Sequence, residues 1–283
     1  MAASKKVFTT LGSSNHVPEE REAFDYYATH LHGLCSIPST PVNSIANINF
    51  RRKHLRFITP SVPFAERRII EMKIINANVE FITPIDGAAI LKRLEQCGRV
   101  CYKSEAKITD TSAPAFVAGI IKRGHEAVLE HCSFTVKFIC DRGVSHEIVR
   151  HRLASYCQES TRYCNYSKEG FGSEITVIMP FFLDKDSTAY RHWFWACSQA
   201  EEAYFNMLNF GCSPQEARSV LPNSLKTEVV MTADIREWRH FLKLRCSPAA
   251  HPQMREVALI LLEKVHELIP VCFDDIWSEY HVF

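Results

Sequence analysis

Apolar residues begin to recur at regular spacing only from Met72 onward. Lys73 to Ile82 mixes β-branched and apolar residues in the manner of a strand, and Ala88 to Cys97 reads as an amphipathic helix. Phe134, Val136, Phe138 and Cys140 alternate with Thr135 and Lys137, the two-residue period of a half-buried strand, and Asp141-Arg142-Gly143 ends it. Val144, Ile148 and Val149 then fall at helical spacing, which predicts a helix from Val144 through Leu153 with a polar cluster at or just beyond its end. Further on, Ser213-Pro214-Gln215-Glu216 is a capping box with Pro in the first turn, and Asp234-Ile235-Arg236-Glu237 repeats it in an Asp-x-x-Glu variant, so a helix starts at each. Thr227 to Thr232 is β-branched enough for a strand between them. His251 to Ile269 forms a long amphipathic helix with Leu259, Leu262 and Val265 on one side. With no internal repeat, the pattern predicts an α+β fold: a single mixed domain over residues 72–283, with a β-sheet flanked by helices.

Residues 1–71 differ in kind, holding five of the thirteen prolines, scattered Ser and Asn, and a basic knot at Arg51, Arg52, Lys53 and Arg56. They read as a poorly ordered N-terminal extension or an over-extended start, and acids at Glu19, Glu20, Glu22 and Asp25 spoil a transit-peptide pattern. The 283 residues are 46% hydrophobic and carry a formal charge of +1, a composition that excludes a disordered chain or a fibrous rod. So small a charge provides no global field for a nucleic-acid backbone or an anionic membrane, so neither is an expected partner and any anion must be held by a local cluster. No apolar run approaches the roughly 18 residues of a membrane span, and no secretory signal opens the chain, so the expected location is cytoplasmic.

Eleven cysteines, an odd number with no Cys-x-x-Cys pair, point to reduced thiols rather than a disulfide framework. His125-Glu126 and His146-Glu147 open like zincin helices, but position 129 is Leu and position 150 is Arg, so the second histidine is missing and no metal site is expected. The densest polar stretch runs from Arg150 to Tyr163, with three arginines, one histidine, several hydroxyls and Glu159 as its single carboxylate. Arginine's planar fork suits bidentate phosphate binding and hydroxyls complete a phosphate's acceptor shell, so the stretch reads as a site for phosphorylated ligands, against the alternative of a solvated helix face.

Arg150-His151-Arg152, seven residues and then Ser160 resembles the signature of the flavin-dependent thymidylate synthases. The resemblance extends to Gly124-His125-Glu126 with Glu130-His131 before Ser133-Phe134-Thr135, to Ala217-Arg218-Ser219-Val220-Leu221-Pro222, and to the run from Arg236 to Arg245 leading to His251. These blocks keep the family's order from about Met72 to the C-terminus, and the extension has no counterpart. The resemblance implies a homotetramer-type synthase fold and methylation of dUMP to dTMP. The family's carbon donor is 5,10-methylenetetrahydrofolate, bound FAD carries reducing equivalents, and NADPH or NADH refills it. It requires no covalent enzyme nucleophile, and nothing near Ser160 shows the base and orienting partner such a role needs, so Ser160 is assigned to phosphate binding.

By the same resemblance, dUMP is expected to meet Glu147, Arg150, Gln158, Ser160, Arg162, Arg218 and Arg245. Arg245 is the candidate catalytic residue, a permanent cation beside the uracil that acts by preorganised electrostatics; the plainer alternative is a last-turn arginine complementing its helix dipole. FAD is expected to meet His125, Ala127, Glu130, Arg150, His151, Arg152, Asp234, Arg236, His240 and His251, without the Gly-x-Gly-x-x-Gly turn of a Rossmann site. Consecutive helical side chains diverge by about 100°, so the Arg150 to Arg152 triplet cannot share one helix face and is open to serving different ligands or subunits; the resemblance implies a homotetramer with shared active sites. The sequence departs from the family at Cys101 in place of Ser, Glu147 in place of Gln, Cys157-Gln158 in place of Asn-Glu and Asp234 in place of Asn, which puts ligand geometry in question more than activity. Two other readings fit the same residues: a non-catalytic phosphate or RNA-binding module, and a degenerate homologue that binds flavin without turnover.

Overall fold

The computed structural model describes residues 72–167 and 174–280. The expectations for residues 1–71 lie outside these described residues. Two short strands, β1 (Lys73–Ile75) and β2 (Asn78–Phe81), precede helices α1 (Gly87–Val100) and α2 (Ala113–Lys122). β3 (Ser133–Asp141), the two-turn α3 (Arg142–Ile148) and β4 (Ser155–Gln158) follow, then β5 (Thr176–Ile178), α4 (Thr188–Asn209) and the one-turn α5 (Pro214–Ala217). β6 (Lys226–Asp234) leads into α6 (Ile235–Arg245), α7 (Pro252–Leu268) and α8 (Pro270–Tyr280). Among the described residues no helix is long and apolar enough to cross a membrane.

The α+β class holds, with two sheets in place of one. An antiparallel sheet runs in the order β2-β3-β6-β4, and β1 pairs in parallel with β5. The strand expected over Lys73 to Ile82 is therefore broken at Asn76-Ala77, and its halves join different sheets. In the larger sheet, pairing of Phe134 with Ala233, Val136 with Met231 and Phe138 with Val229 sends one face into the core. The other face carries charge: Lys137 meets Glu80 at 2.8 Å, and Lys226 meets Glu228 at 2.7 Å and Glu159 at 3.1 Å.

Trp238 of α6 is fully buried against the apolar face, stacked on Phe134 with ring centroids 5.0 Å apart, and its Nε1 donates to the Phe134 carbonyl at 3.2 Å. Phe241 and Leu242 bury beside it, and α7 covers them with Val257, Leu261, Leu262 and Val265, while Leu259 sits at the flank of that stripe. Truncating Trp238 to alanine would forfeit about 3–5 kcal/mol of burial and packing. A second cluster, around Tyr204 of α4 with Met72, Ile175, Val177 and Leu225, packs the smaller sheet.

Two predicted helices are shorter than expected. The helix placed over Val144 to Leu153 starts earlier, where the Asp141 carboxylate accepts from Val144 N at 2.8 Å, and stops at Ile148. Beyond it the polar stretch supplies a strand, because Ser155 to Gln158 pair with Thr232 to Val229 of β6 and find their backbone partners in that ladder. The Ser213 capping box forms as expected, but its helix runs one turn and passes into the 3-10 turn Arg218–Val220. Helices α2, α4 and α8 were not anticipated.

Arg239 of α6 is a buried cation whose fork meets Asp275 of α8 at 2.8 and 2.7 Å and also donates to the Cys272 carbonyl. Its side chain is 3% exposed, while that of Asp275 is 47% exposed. Asp275→Ala strands a buried guanidinium and is expected to lower the unfolding free energy by about 3 kcal/mol, read as a shifted urea midpoint at unchanged slope.

Candidate active site

Helix α6 has two functional faces. Its positions 235, 238, 241 and 242 enter the core, while Arg236, Glu237, His240, Lys243 and Leu244 border a cleft of about 1040 Å³. Asp234 caps the helix, its carboxylate accepting from Glu237 N at 2.8 Å. The end of α3 and the turn after it form the facing wall with Glu147, Arg150, His151, Arg152 and Leu153, and Glu126 and Glu130 enter from the 3-10 turn Glu126–His131.

Arg245, in the last turn of α6, is held at three points. Its Nη1 donates to Glu147 Oε2 at 2.7 Å, Nη2 to the Glu147 carbonyl at 2.9 Å and Nε to His151 Nε2 at 3.1 Å. The carbonyl contact satisfies an acceptor that the end of a helix leaves open. A guanidinium has five N–H donors and no acceptor, so two donors stay available for a ligand. The Arg245 cation in turn holds the Glu147 carboxyl below the usual carboxylate range.

His151 is buried, with Nδ1 3.0 Å from Glu237 Oε1 and its ring centroid 4.8 Å from that of Phe241. Because Arg245 Nε–H can only donate, Nε2 must accept, and the hydrogen-bond network assigns the proton to Nδ1. Burial depresses the imidazole pKa, with Arg245 and His240 acting in the same direction and the Glu237 hydrogen bond opposing them. Tyr156 braces the turn by donating to the His151 carbonyl at 2.6 Å, and burial pushes its phenol up to about 12.

The residues expected for FAD fall mostly in this cleft: Glu130, Arg150, His151, Arg152, Asp234, Arg236 and His240. His125 and Ala127 line an adjoining cavity of about 490 Å³ that shares Glu126 and Arg236 with it. His251 lines neither; it precedes α7 at the N-cap position without making a side-chain cap bond. Arg236 bonds Glu130 at 2.5 Å, Arg150 lies 3.4 Å from Glu147, and Arg152 has no ion pair among the described residues.

The residues expected for dUMP divide. Glu147, Arg150 and Arg245 are in the main cleft, whereas Arg218 lines a separate cavity of about 500 Å³ with Arg142, His146 and Thr161, and bonds the Thr161 hydroxyl at 3.3 Å. Ser160 and Arg162 sit beside Thr161 in the chain, with Arg162 N donating to Ser160 Oγ at 3.3 Å. Gln158 turns to Ser145 Oγ at 2.9 Å.

Sequence reasoning saw Glu237 only as the second half of a capping box; its backbone N–H fills that role, but its carboxylate goes to His151. Arg142, His146 and Thr161 line the Arg218 cavity but were not named as ligand contacts, although His146 stands in the zincin-like pair and Thr161 in the polar stretch. His151, Glu237 and His240 place three ligand-type atoms within 4.8 Å of one another. Both His151 nitrogens already have partners, Glu237 Oε1 at Nδ1 and Arg245 Nε at Nε2, so the cluster reads as a hydrogen-bond chain.

Residues 88–271 match the family described as thymidylate synthase complementing protein. The chain belongs to the flavin-dependent thymidylate synthase family. It is 31% identical over 207 residues to the flavin-dependent thymidylate synthase of Pyrococcus abyssi, covering 72% of this chain and 83% of that one. Identity to the Geobacter sulfurreducens enzyme of the same name is 34% over 184 residues, or 62% of this chain and 78% of that one. The fold is also similar to that of a UMP/dUMP methylase, PolB from Streptomyces cacaoi bound with 5-Br dUMP, at TM-score 0.59 and 22% identity over 74% of this chain and 98% of that one.

Burial lowers the folded pKa of His151, set between Glu237, His240 and Arg245, and this predicts a loss of stability in acid. The unfolded state takes up a proton at a higher pH than the folded state, so the ring's stability contribution is full above about pH 6.5. That contribution is lost as pH falls from there through the depressed folded value. Thermal unfolding midpoints are expected to drop across that window in the wild type and to drop less in His151→Gln.

Proposed function

We propose that the protein reductively methylates dUMP to dTMP, with 5,10-methylenetetrahydrofolate as carbon donor, FAD as bound cofactor and NADPH or NADH as reductant. The observation that carries this reading is Arg245, clamped at the cleft floor by Glu147 and His151 with two donors left over. A fixed cation there stabilises negative charge on a pyrimidine ring as electron density moves toward the carbon to be alkylated, with no reorganisation cost at the moment of reaction. Since guanidinium does not give up its proton, the residue acts electrostatically.

The donor set fits a flavin dinucleotide. The main cleft and its neighbour adjoin through Glu126 and Arg236, which gives an elongated site. Arg152, free of ion pairs among the described residues, and the exposed Arg150 suit a pyrophosphate; Glu130, Asp234, Arg236, His240, His125 and Ala127 line the remainder. When bound, the flavin supplies the reducing equivalents that complete the methyl group. The dUMP phosphate is assigned to Arg218, Ser160 and Arg162, with Thr161 beside them. Arg218 and Thr161 line a different cavity from Arg245, which supports a homotetramer in which one copy offers the phosphate group of residues to another copy's Arg245. A cytoplasmic setting accords with the described cysteines, all of which are free thiols.

Product formation from dUMP, methylenetetrahydrofolate and NADPH, assayed with and without added FAD, tests the reading. FAD-dependent dTMP is expected, and its absence from folded, reduced protein overturns it. Arg245→Ala is expected to lower turnover by roughly 100-fold or more while leaving flavin absorbance in place; unchanged turnover removes Arg245 from the chemistry.

A further inference from the structure

We infer that Glu237 is a positioning residue that sets the hydrogen-bond polarity of His151 and, through it, the aim of Arg245. Glu237 and Arg245 lie on the same helix, and His151 enters between them from the turn after α3. An imidazole has three protonation states, and this arrangement admits one. With the proton on Nε2, in either the other neutral tautomer or the imidazolium, two donors would face each other across the 3.1 Å separating Nε2 from Arg245 Nε. With the proton on Nδ1, Nε2 accepts from Arg245 and Nδ1 needs an acceptor of its own. The Glu237 carboxylate, its side chain 8% exposed, is that acceptor.

The charged and titratable groups around the ring fit this assignment. Glu237, His240 and Arg245 face it from α6 and Tyr156 lies behind it on β4, while Glu147 reaches the same guanidinium from α3. The direction in which burial moves the ring, toward the neutral form, agrees with the geometry. Glu147 grips Nη1 and Nη2 and His151 grips Nε, so the guanidinium plane is fixed from two elements. Losing the acceptor on one side would let the plane swing, and an electrostatic donor displaced by even an ångström loses much of its effect.

The relay itself is a property of the unliganded chain; only its consequence for turnover rests on the reading above. The test therefore has two arms. In protein labelled with 15N-histidine, long-range proton–nitrogen correlation at about pH 7.5, with His151→Gln to assign the signal, is expected to show His151 protonated at Nδ1 and not at Nε2. A proton on Nε2, or a doubly protonated ring, overturns the proposal whether or not the protein makes dTMP. Glu237→Leu, which keeps side-chain volume and removes the acceptor, is expected to mix the tautomers and to lower kcat for dTMP about tenfold or more at unchanged flavin content. Glu237→Gln, whose amide oxygen can accept from Nδ1–H, is expected to keep the tautomer and restore most of the rate. A Glu237→Leu protein with the Nδ1 tautomer intact, or with tautomers mixed and the wild-type rate, overturns the role of Glu237. Should Glu237→Leu not fold, the comparison of wild type with Glu237→Gln decides: loss of the Nδ1 tautomer or of most of the rate in Glu237→Gln counts against the relay. If the wild type forms no dTMP, the proposed function fails and the tautomer alone decides the relay.

Discussion

The nine-residue antiparallel pairing of β3 with β6, in register from Ser133 opposite Asp234 to Asp141 opposite Lys226, is the constraint from which the site follows. Each strand ends at an aspartate that caps the next helix, Asp141 for α3 and Asp234 for α6. Because the strands are antiparallel, these helices start from opposite ends of the ladder. Their C-terminal ends nevertheless meet where Arg245 of α6 donates to the Glu147 carbonyl of α3. A register slip of one residue would turn Phe134, Val136 and Phe138 away from Trp238 and Phe241 and would separate the helix ends along with them.

Convergence of two helix C-termini has an electrostatic consequence. Their partial negative charge favours a cation, and Arg245 supplies it while filling an open carbonyl. The helix-dipole reading of Arg245 and the catalytic reading are thus compatible: the features that stabilise the helix end also hold the guanidinium still. Glu147 adds a full negative charge to that grip. Its carboxylate, at 31% exposure, sits at the cleft wall, so the acid both orients Arg245 and offsets part of its charge.

Buried charge elsewhere follows a different logic. Arg239 and Asp275 tie α6 to α8, and Glu95 binds Arg99 and Ser112 to join α1 to the start of α2. Arg239 also borders the main cavity, but its fork is taken up by Asp275 and the Cys272 carbonyl, whereas Arg245 in the chain of Glu237, His151 and Arg245 keeps two donors for a ligand.

Short-range order determined much of what the sequence made legible. The alternation from Phe134 to Cys140, the β-branched run around Val229, the Asp234 cap and the long helix after His251 are local patterns whose partners lie within a turn or a pleat, and the structure contains each. The Arg150-His151-Arg152 block likewise marked the family and the cleft. What lay beyond reach were facts of pairing across long separations: that Lys73 to Ile82 divides between two sheets, that Ser155 to Gln158 leaves a helical context to join β6, and that Arg245 and His151 meet 94 residues apart. Nor could residue type show that Gln158, Ser160 and Arg218 would lie apart from Arg245, or that Glu237 would serve a histidine rather than its own cap. Propensity and periodicity act over a few residues, whereas hydrogen-bond partners in a buried cleft are set by which elements the core brings together. The types of residue available for chemistry were therefore decided by the sequence alone, and their polarity, pairing and division between cavities by the tertiary fold.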